Sequence, residues 1–119
     1  MNIKLYDSEL KIMELLWKYG DMSAKQLAVF AQNSIGWSKT TTYTIIGKCI
    51  AKGVIKRFEP DFICHAVIEK KQVQEYEMVE LINKVFDGAS DKLVASILEN
   101  ECLSKEELDR IFKIIDKYR

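Results

Sequence analysis

One stretch of this chain, residues 37–58, constrains the fold more than any other. Its sequence is WSKTTTYTIIGKCIAKGVIKRF. Ser38 stands in a capping position before apolar residues at helical spacing, and Gly53 follows them as the expected left-handed terminator. The residues after the glycine are basic and β-prone. The stretch therefore predicts a helix from Ser38 to Lys52 that leads directly into a strand.

The residues of this helix sort into two faces when they are placed at intervals of about 100°. The inward face is predicted to be Thr42, Ile45, Ile46, Cys49 and Ile50. The outward face is predicted to be Thr40, Thr44, Gly47 and Ala51, flanked by Thr41, Tyr43 and Lys48. Threonine and glycine are poor helix formers, which cost up to about 1 kcal/mol per residue relative to alanine. A face of such small, hydroxylated residues favours close approach to a DNA major groove, and an ordinary surface helix is the alternative.

Charge is segregated along the chain, although its 18 basic and 18 acidic side chains cancel. Between positions 21 and 59 there is no acidic residue, whereas six cations occur there. They are Lys25, Lys39, Lys48, Lys52, Lys56 and Arg57. Residues 69–119 reverse the balance, with 12 acids against 9 bases. This segregation predicts one face for a polyanion, where Lys39, Lys48 and Lys52 neutralise phosphates.

Two further helices are predicted before the central one. Apolar residues recur at helical spacing over positions 7–19, and a glycine closes the run. After a short turn at positions 20–22, Ser23 and Gln26 have the spacing of a capping box and open a helix that reaches about Asn33. Its inward residues are predicted to be Leu27, Ala28, Phe30 and Ala31. Helix, turn, helix, loop and helix is the order of a helix-turn-helix.

A β-hairpin is predicted over residues 54–67, because two β-prone runs flank the turn residues at positions 59–61. Its first strand carries Lys56 and Arg57. A wing that lies along a duplex would bring both cations close to phosphates, and each phosphate contact steepens the salt dependence of binding.

Enzymatic chemistry and metal binding are not expected. Three cysteines, Cys49, Cys64 and Cys102, are an odd number at wide spacing, which favours reduced, buried thiols. Cys64 and His65 are adjacent, so both cannot easily chelate one ion, and no second ligand pair stands at zinc-site spacing. A half-buried strand cysteine beside an exposed histidine is expected there instead. With one histidine and no nucleotide-binding loop, the sequence predicts neither catalysis nor a cofactor.

The size of the chain, 119 residues, allows one domain or a small domain with an appendage. No uncharged apolar run approaches the 18 or so residues that cross a membrane. The first residues, MNIKLYDSELK, lack the apolar core of a secretory signal. The expected localisation is therefore cytoplasmic.

The second half of the chain predicts three amphipathic helices that cannot close a core alone. Their apolar side chains suggest a homodimer, with folding back onto the first domain as the alternative. Ser90 is expected to cap the first of the last two helices, and Ser104 with Glu107 is expected to form a capping box that opens the second. The dimerisation residues are expected on these two helices: Leu93, Val94, Ile97, Leu98, Leu108, Ile111, Phe112 and Ile115. The predicted fold class is mainly α (α+β), with a winged helix-turn-helix DNA-binding domain at 1–68 and a helical dimerisation domain at 69–119.

Several motifs together resemble the penicillinase repressor family (BlaI/MecI/CopY). The residues from Trp37 to Ile55 are similar to its recognition-helix motif, with the cap, threonines, aliphatic pair and Lys-Gly in the same order. The pattern of its first helix is matched by Glu9, Ile12, Met13 and Trp17, and that of its dimerisation segment by residues 81–86, Gly88, Leu93 and Val94. The resemblance covers nearly the whole chain.

The resemblance implies a homodimeric winged-helix repressor on a palindromic operator in double-stranded DNA, controlling β-lactam-resistance or related stress genes. Carried over by position, the DNA contacts are Lys39, Thr40, Thr41, Tyr43, Thr44, Lys48, Lys56 and Arg57. Tyr43 replaces a basic residue of some members, and a phenol cannot make the bidentate guanine contact of an arginine. A winged-helix module that binds protein or RNA, without operator specificity, is the competing interpretation.

The resemblance also implies a route by which such a repressor would be inactivated. In the β-lactam-responsive branch a proteolytic cut in the dimerisation region ends repression, and the corresponding bond here lies near Ser96-Ile97. The Asn-Phe pair of the family is not present there. A sensor-linked protease is implied as a further partner. Copper sensing is not expected, because the sequence ends in IDKYR without the paired Cys-x-Cys motif of the copper-responsive branch.

Overall fold

A computed structural model describes residues 3–100 and 103–119 of the chain. The helices are α1 (Asp7–Tyr19), α2 (Ala24–Ser34), α3 (Lys39–Ala51), α4 (Lys70–Val85), α5 (Ser90–Glu99) and α6 (Lys105–Lys117). The strands are β1 (Met22–Ser23), β2 (Ile55–Phe58) and β3 (Ile63–Ala66). This is the predicted fold class, a winged helix-turn-helix followed by a helical region.

The chain forms two compact units, residues 1–77 and residues 78–119. The division between them falls inside α4. The division that the sequence suggests lies earlier, where the hairpin ends, so a DNA-binding domain at 1–68 and a dimerisation domain at 69–119 remain a prediction.

Helix α1 has the predicted bounds and lines the core of the first unit. Its buried apolar residues are Ile12, Met13 and Leu16, and Gly20 ends the helix with a φ of 82°. Trp17 is partly buried against this core, and its indole Nε1 donates a hydrogen bond to the Ile68 carbonyl at 2.9 Å. The tryptophan therefore joins α1 to the segment that follows the hairpin.

The capping box predicted for α2 is present. The Ser23 hydroxyl accepts from the Gln26 backbone N–H at 3.1 Å, and the Gln26 side chain accepts from the Ser23 N–H at 3.0 Å. Leu27, Ala28 and Ala31 are buried as expected. Phe30 was expected inside as well, but this was wrong: its side chain is exposed and stacks on Tyr19, with ring centroids 4.8 Å apart.

The wing is part of a three-stranded antiparallel sheet in the order β1-β3-β2. The hairpin of β2 and β3 agrees with the prediction, with Arg57 opposite Cys64. Strand β1 was not predicted, because Met22 was assigned to a turn. It pairs with β3 through Met22 opposite Cys64 and Ser23 opposite Ile63, and this pairing ties the start of α2 to the wing.

Cys64 was expected to be half-buried beside an exposed histidine, and it is instead fully buried. His65 is exposed as expected, and its Nδ1 lies 2.8 Å from Asp21 Oδ1. Cys49 is also buried. Cys102, the third thiol expected to be buried, lies outside the described residues.

The second unit has amphipathic helices without an interior of their own. Among its described residues, 78–100 and 103–119, no side chain is fully buried. Helix α6 opens with the predicted capping box, in which Ser104 Oγ accepts from the Glu107 N–H at 3.1 Å. Helix α5 starts one position earlier than expected, because Ala89 and not Ser90 occupies its N-cap position, and no side chain caps it.

Candidate nucleic-acid interface

Helix α3 is positioned by local caps at both ends. The Ser38 hydroxyl accepts from the Thr41 backbone N–H at 3.1 Å, which satisfies one of the free donors at the start of a helix. At the other end Lys52 is the C-cap, and Gly53 follows in the left-handed region with a φ of 79°. The chain therefore turns directly from α3 into the wing.

The two faces of α3 are those that the sequence predicted. The buried side is formed by Thr42, Ile45, Ile46 and Cys49, with Ile50 partly buried. The buried hydroxyl of Thr42 donates to the Ser38 carbonyl at 3.0 Å, so it is satisfied within the helix. The exposed side is formed by Thr40, Thr41, Thr44, Gly47, Lys48 and Ala51.

The exposed hydroxyl of Thr44 already makes a local hydrogen bond. Thr44 Oγ1 donates to the Thr40 carbonyl at 3.0 Å. Since that bond uses the only hydroxyl proton, Thr44 can offer a ligand its oxygen lone pairs and its methyl group. Such a group suits the exocyclic amine of adenine or cytosine, or the methyl group of thymine.

Four of the predicted DNA contacts line one open depression with a volume of about 610 Å³: Lys39, Thr40, Tyr43 and Thr44. Tyr43 is only partly exposed, and its ring packs against the core cluster. The Lys39 ammonium lies 5.8 Å from the centroid of that ring. The first two turns of α3 therefore bring hydroxyl, phenol and ammonium groups to a single concave surface.

The two wing cations are exposed, and both lie over aromatic rings. Lys56 Nζ is 5.0 Å from the centroid of the Phe58 ring, and the guanidinium carbon of Arg57 is 3.6 Å from that of Phe62. Arg57 Nε also forms an ion pair with the Glu59 carboxylate. A phosphate that bound Arg57 would therefore compete with a carboxylate of the same hairpin.

The wing as a whole carries no net charge. Over residues 55–63 the cations Lys56 and Arg57 are matched by the anions Glu59 and Asp61. Residues 22–58 contain no acidic side chain, and this acid-free window ends just before these two anions. The positive charge offered to a polyanion is therefore greater on α3 than on the wing.

Lys52 was expected to neutralise phosphates together with Lys39 and Lys48, but its ammonium group is bound within the protein. Its ammonium lies 2.6 Å from Glu9 Oε1 and 3.0 Å from the Lys4 carbonyl, and it lies over the Tyr6 ring at 4.4 Å. The Glu9 side chain is 2% exposed and also accepts from the Tyr6 N–H at 2.8 Å. Lys52 therefore holds the end of α3 against the start of α1, and we do not count it among the phosphate contacts.

Both described thiols are too buried for easy chemistry. Burial raises the pKa of Cys49 to about 12, with a smaller contribution from the nearby Glu9 carboxylate. Burial also raises the pKa of Cys64 to about 11, and Arg57 opposes the shift. Because the thiolate is the reactive form, neither side chain is a nucleophile near neutral pH.

No metal site is found in the part of the chain that the structure covers. Residues 3–100 and 103–119 contain no group of three or more histidine, cysteine or carboxylate side chains placed to hold an ion. In those same residues, no helix is long and apolar enough to span a membrane.

The residues predicted for dimerisation all lie on α5 and α6. On α5, Leu93 is partly buried while Val94, Ile97 and Leu98 are exposed. On α6 one side of the helix carries Leu108, Ile111, Phe112 and Ile115. Of these, Phe112 and Ile115 are exposed and the other two are partly buried. The candidate cleavage bond Ser96-Ile97 lies within α5, where the Ser96 carbonyl accepts from Asn100 Nδ2 at 2.6 Å.

Comparison with known proteins decides the family. The family described as penicillinase repressor matches residues 5–117. The chain belongs to the penicillinase repressor family. One relative is the penicillinase repressor of Bacillus licheniformis, which is 23% identical to this chain over 98% of the chain and 92% of that protein. Others are methicillin resistance regulatory proteins MecI, from Mammaliicoccus sciuri and Staphylococcus aureus (strain N315), each 28% identical over 98% of this chain and 99% of the relative.

This membership confirms the resemblance read from the sequence. The protein is a transcriptional repressor of the BlaI/MecI type, and its family is one of repressors and not of enzymes. Sequence reasoning found the exposed face of α3 and the wing cations. It missed Phe62, Glu59 and the Glu9–Lys52 pair, because each acquires its role from a partner that the pattern along the chain does not reveal.

Proposed function

We propose that this penicillinase repressor family member is a homodimer that binds a palindromic operator and represses β-lactam-resistance or related stress genes. The observation that carries the proposal is the exposed face of α3, where small and hydroxylated side chains surround Gly47. Lys39 and Lys48 flank this face without acidic neighbours. Close approach with hydroxyl contacts reads base edges, while the flanking ammonium groups meet phosphates.

The exposed apolar surface of the second unit supports the proposed dimer. Its exposed apolar side chains include Val94 and Leu98 on α5 and Phe112, Ile114 and Ile115 on α6. Exposed apolar surface of this kind favours a second copy of the same segment, which buries it symmetrically. Two α3 helices about 34 Å apart would then enter successive major grooves.

Base reading is tested with three single variants in a competition assay. Thr40→Ala and Tyr43→Ala are expected to weaken binding to a selected operator more than binding to random duplex. Lys56→Ala is expected to weaken both about equally, because a phosphate contact carries no sequence information. Equal effects of all three on both duplexes would contradict base reading. A wild-type protein without duplex preference at physiological salt would favour a protein- or RNA-binding module.

Dimerisation is tested by sedimentation of two glutamate variants that differ by one position on α6. Phe112→Glu places a charge on the apolar side of the helix and is expected to give monomers. Lys113→Glu introduces the same side chain at an exposed polar position and is expected to leave the dimer intact. Monomers should also bind the operator about 10²- to 10⁴-fold more weakly, since the advantage of joined sites is lost.

Inactivation is proposed to follow cleavage near Ser96-Ile97 by a sensor-linked protease. A cut there would separate α6 from the DNA-binding unit and weaken the dimer. The expected product is a fragment that ends near Ser96, observed by mass spectrometry after β-lactam treatment of cells that carry the gene and its sensor. Loss of repression with an intact chain would contradict this route.

A further inference from the structure

Phe62 has an unusual place in the wing. It is the last residue of the turn between β2 and β3, and both Asp61 and Phe62 have left-handed backbone conformations, with φ of 72° and 50°. Aspartate tolerates this region, but bulky side chains rarely adopt it. The Phe62 carbonyl is fixed by a hydrogen bond from the Ala24 N–H at 2.9 Å, at the start of α2. Such a conformation is maintained only where the surroundings specify it, and it often marks a functional position.

The Phe62 ring lies between two predicted DNA contacts. On one side it meets Tyr43 of α3 edge to face, with centroids 5.9 Å apart and an interplanar angle of 83°. On another it meets the Arg57 guanidinium of β2 at 3.6 Å. Edge-to-face aromatic pairs and cation–ring contacts both depend on orientation. The position of Phe62 therefore affects both the phenol on the recognition helix and the cation on the wing.

We propose that Phe62 is a positioning residue that couples base reading by Tyr43 to phosphate contact by Arg57. It need not touch DNA itself. When Arg57 moves to meet a phosphate, the ring beneath it responds, and the Tyr43 ring packed on that ring is reoriented toward or away from the base edges. The inference rests on the proposed DNA binding and adds that the wing influences sequence preference.

The chain offers a matched control in Phe58. Phe58 also belongs to the wing and also lies under a cation, Lys56, at 5.0 Å. Its aromatic neighbour is His65 on the adjacent strand, with centroids 6.1 Å apart, and not a residue of the recognition helix. Comparing Phe62→Leu with Phe58→Leu therefore separates coupling to α3 from a general loss of wing aromatics.

The experiment begins with a duplex that the full-length wild-type protein selects from a random library. Binding of each variant is then measured on this duplex and on a panel with single base-pair changes, and thermal unfolding of each variant is recorded. Phe62→Leu is expected to lose about 2- to 10-fold of the discrimination at those base pairs where Tyr43→Ala loses it, in line with the strength of aromatic pairs. Phe58→Leu is expected to keep the wild-type pattern.

A folded Phe62→Leu protein with wild-type discrimination would overturn the inference while leaving the proposed function intact. Equal losses in Phe62→Leu and Phe58→Leu would overturn it too. If the wild-type protein selects no sequence, the proposed function itself fails, and the inference falls with it.

A second measurement avoids changing Phe62, in case its leucine variant does not fold. The effects of Tyr43→Ala and Arg57→Ala on operator affinity are measured singly and together. A coupled pair departs from additivity, and we expect a departure of about twofold or more. The control pair, Tyr43→Ala with Lys56→Ala, is expected to be additive. Additivity in both pairs would overturn the coupling.

Discussion

Gly47 allows stability and DNA binding to be separated in one variant. It lies in the interior of α3 on the exposed face, and a methyl group added at its Cα would meet no atom within 4 Å. Its backbone conformation is helical, so alanine fits without strain. Replacing glycine by alanine in a helix interior gains about 0.8–1 kcal/mol. We therefore expect Gly47→Ala to stabilise the protein, with a rise in Tm of about 4–8 °C.

The same methyl group should weaken binding to the operator. If α3 approaches the base edges at van der Waals distance, the added group must displace the helix or a neighbouring side chain. Inserting a methylene into a well-packed contact costs about 1–3 kcal/mol. That corresponds to a loss of roughly 5- to 150-fold in affinity. The presence of a poor helix former at position 47 is then explained by close contact between α3 and DNA, and not by the stability of the helix.

Gly53 provides the matched control. A methyl group there would also meet nothing within 4 Å, but the backbone has a φ of 79°, where side chains are strained. Gly53→Ala is therefore expected to destabilise the protein by about 1 kcal/mol. The two substitutions are chemically identical and should have opposite effects on the free energy of unfolding.

The assays are thermal unfolding and operator titration of the two variants beside the wild type. A Gly47→Ala protein that is more stable and binds the operator as tightly as the wild type would refute close approach of α3 at this position. A Gly47→Ala protein that is less stable than the wild type would refute the assignment of an open, unstrained helical site.

Two further predictions follow from the wing and the buried thiols. Glu59→Gln should release Arg57, raise DNA affinity by up to about fivefold and steepen its salt dependence, since an exposed ion pair is worth at most about 1 kcal/mol. Asp61→Asn removes the same negative charge without releasing Arg57. An equal effect of both variants would contradict competition between Glu59 and phosphate for Arg57. Cys49 and Cys64 should resist iodoacetamide at pH 8 until the protein unfolds, and rapid labelling of either thiol in the native protein, located by peptide mass spectrometry, would contradict this. The free energy of unfolding should fall as pH rises from about 9, the ordinary pKa of a thiol, toward about 12, because the unfolded thiols then ionise while folded Cys49 stays protonated.

Local patterns along the chain were enough to predict most of the helices and the buried face of α3. The boxes at Ser23 and Ser104 place caps and their partners three residues apart, so the sequence displays the whole interaction. The stripe from Thr42 to Cys49 likewise follows from helical periodicity alone. Features of this kind need no knowledge of the rest of the fold.

Features that depend on distant partners could not be predicted in this way. Strand β1 is two residues long and exists because β3, some 40 positions later, offers an edge to pair with. Phe30 is exposed and stacks on Tyr19, a residue of another helix, although its spacing on α2 fits an inward position. The role of Phe62 depends on Tyr43 and Arg57 together, which only the closed hairpin brings to one ring.

The pairing of Lys52 with buried Glu9 has a consequence for genetic screens. A scan that replaces each cation of the acid-free window and scores repression in cells would record a strong defect at Lys52. The physical origin would differ from that at Lys39 or Lys48, because removal of one partner leaves the other charge uncompensated in the interior. The cellular amount of each variant must therefore be measured beside its repression, so that a protein lost to degradation is not mistaken for one that no longer recognises its operator.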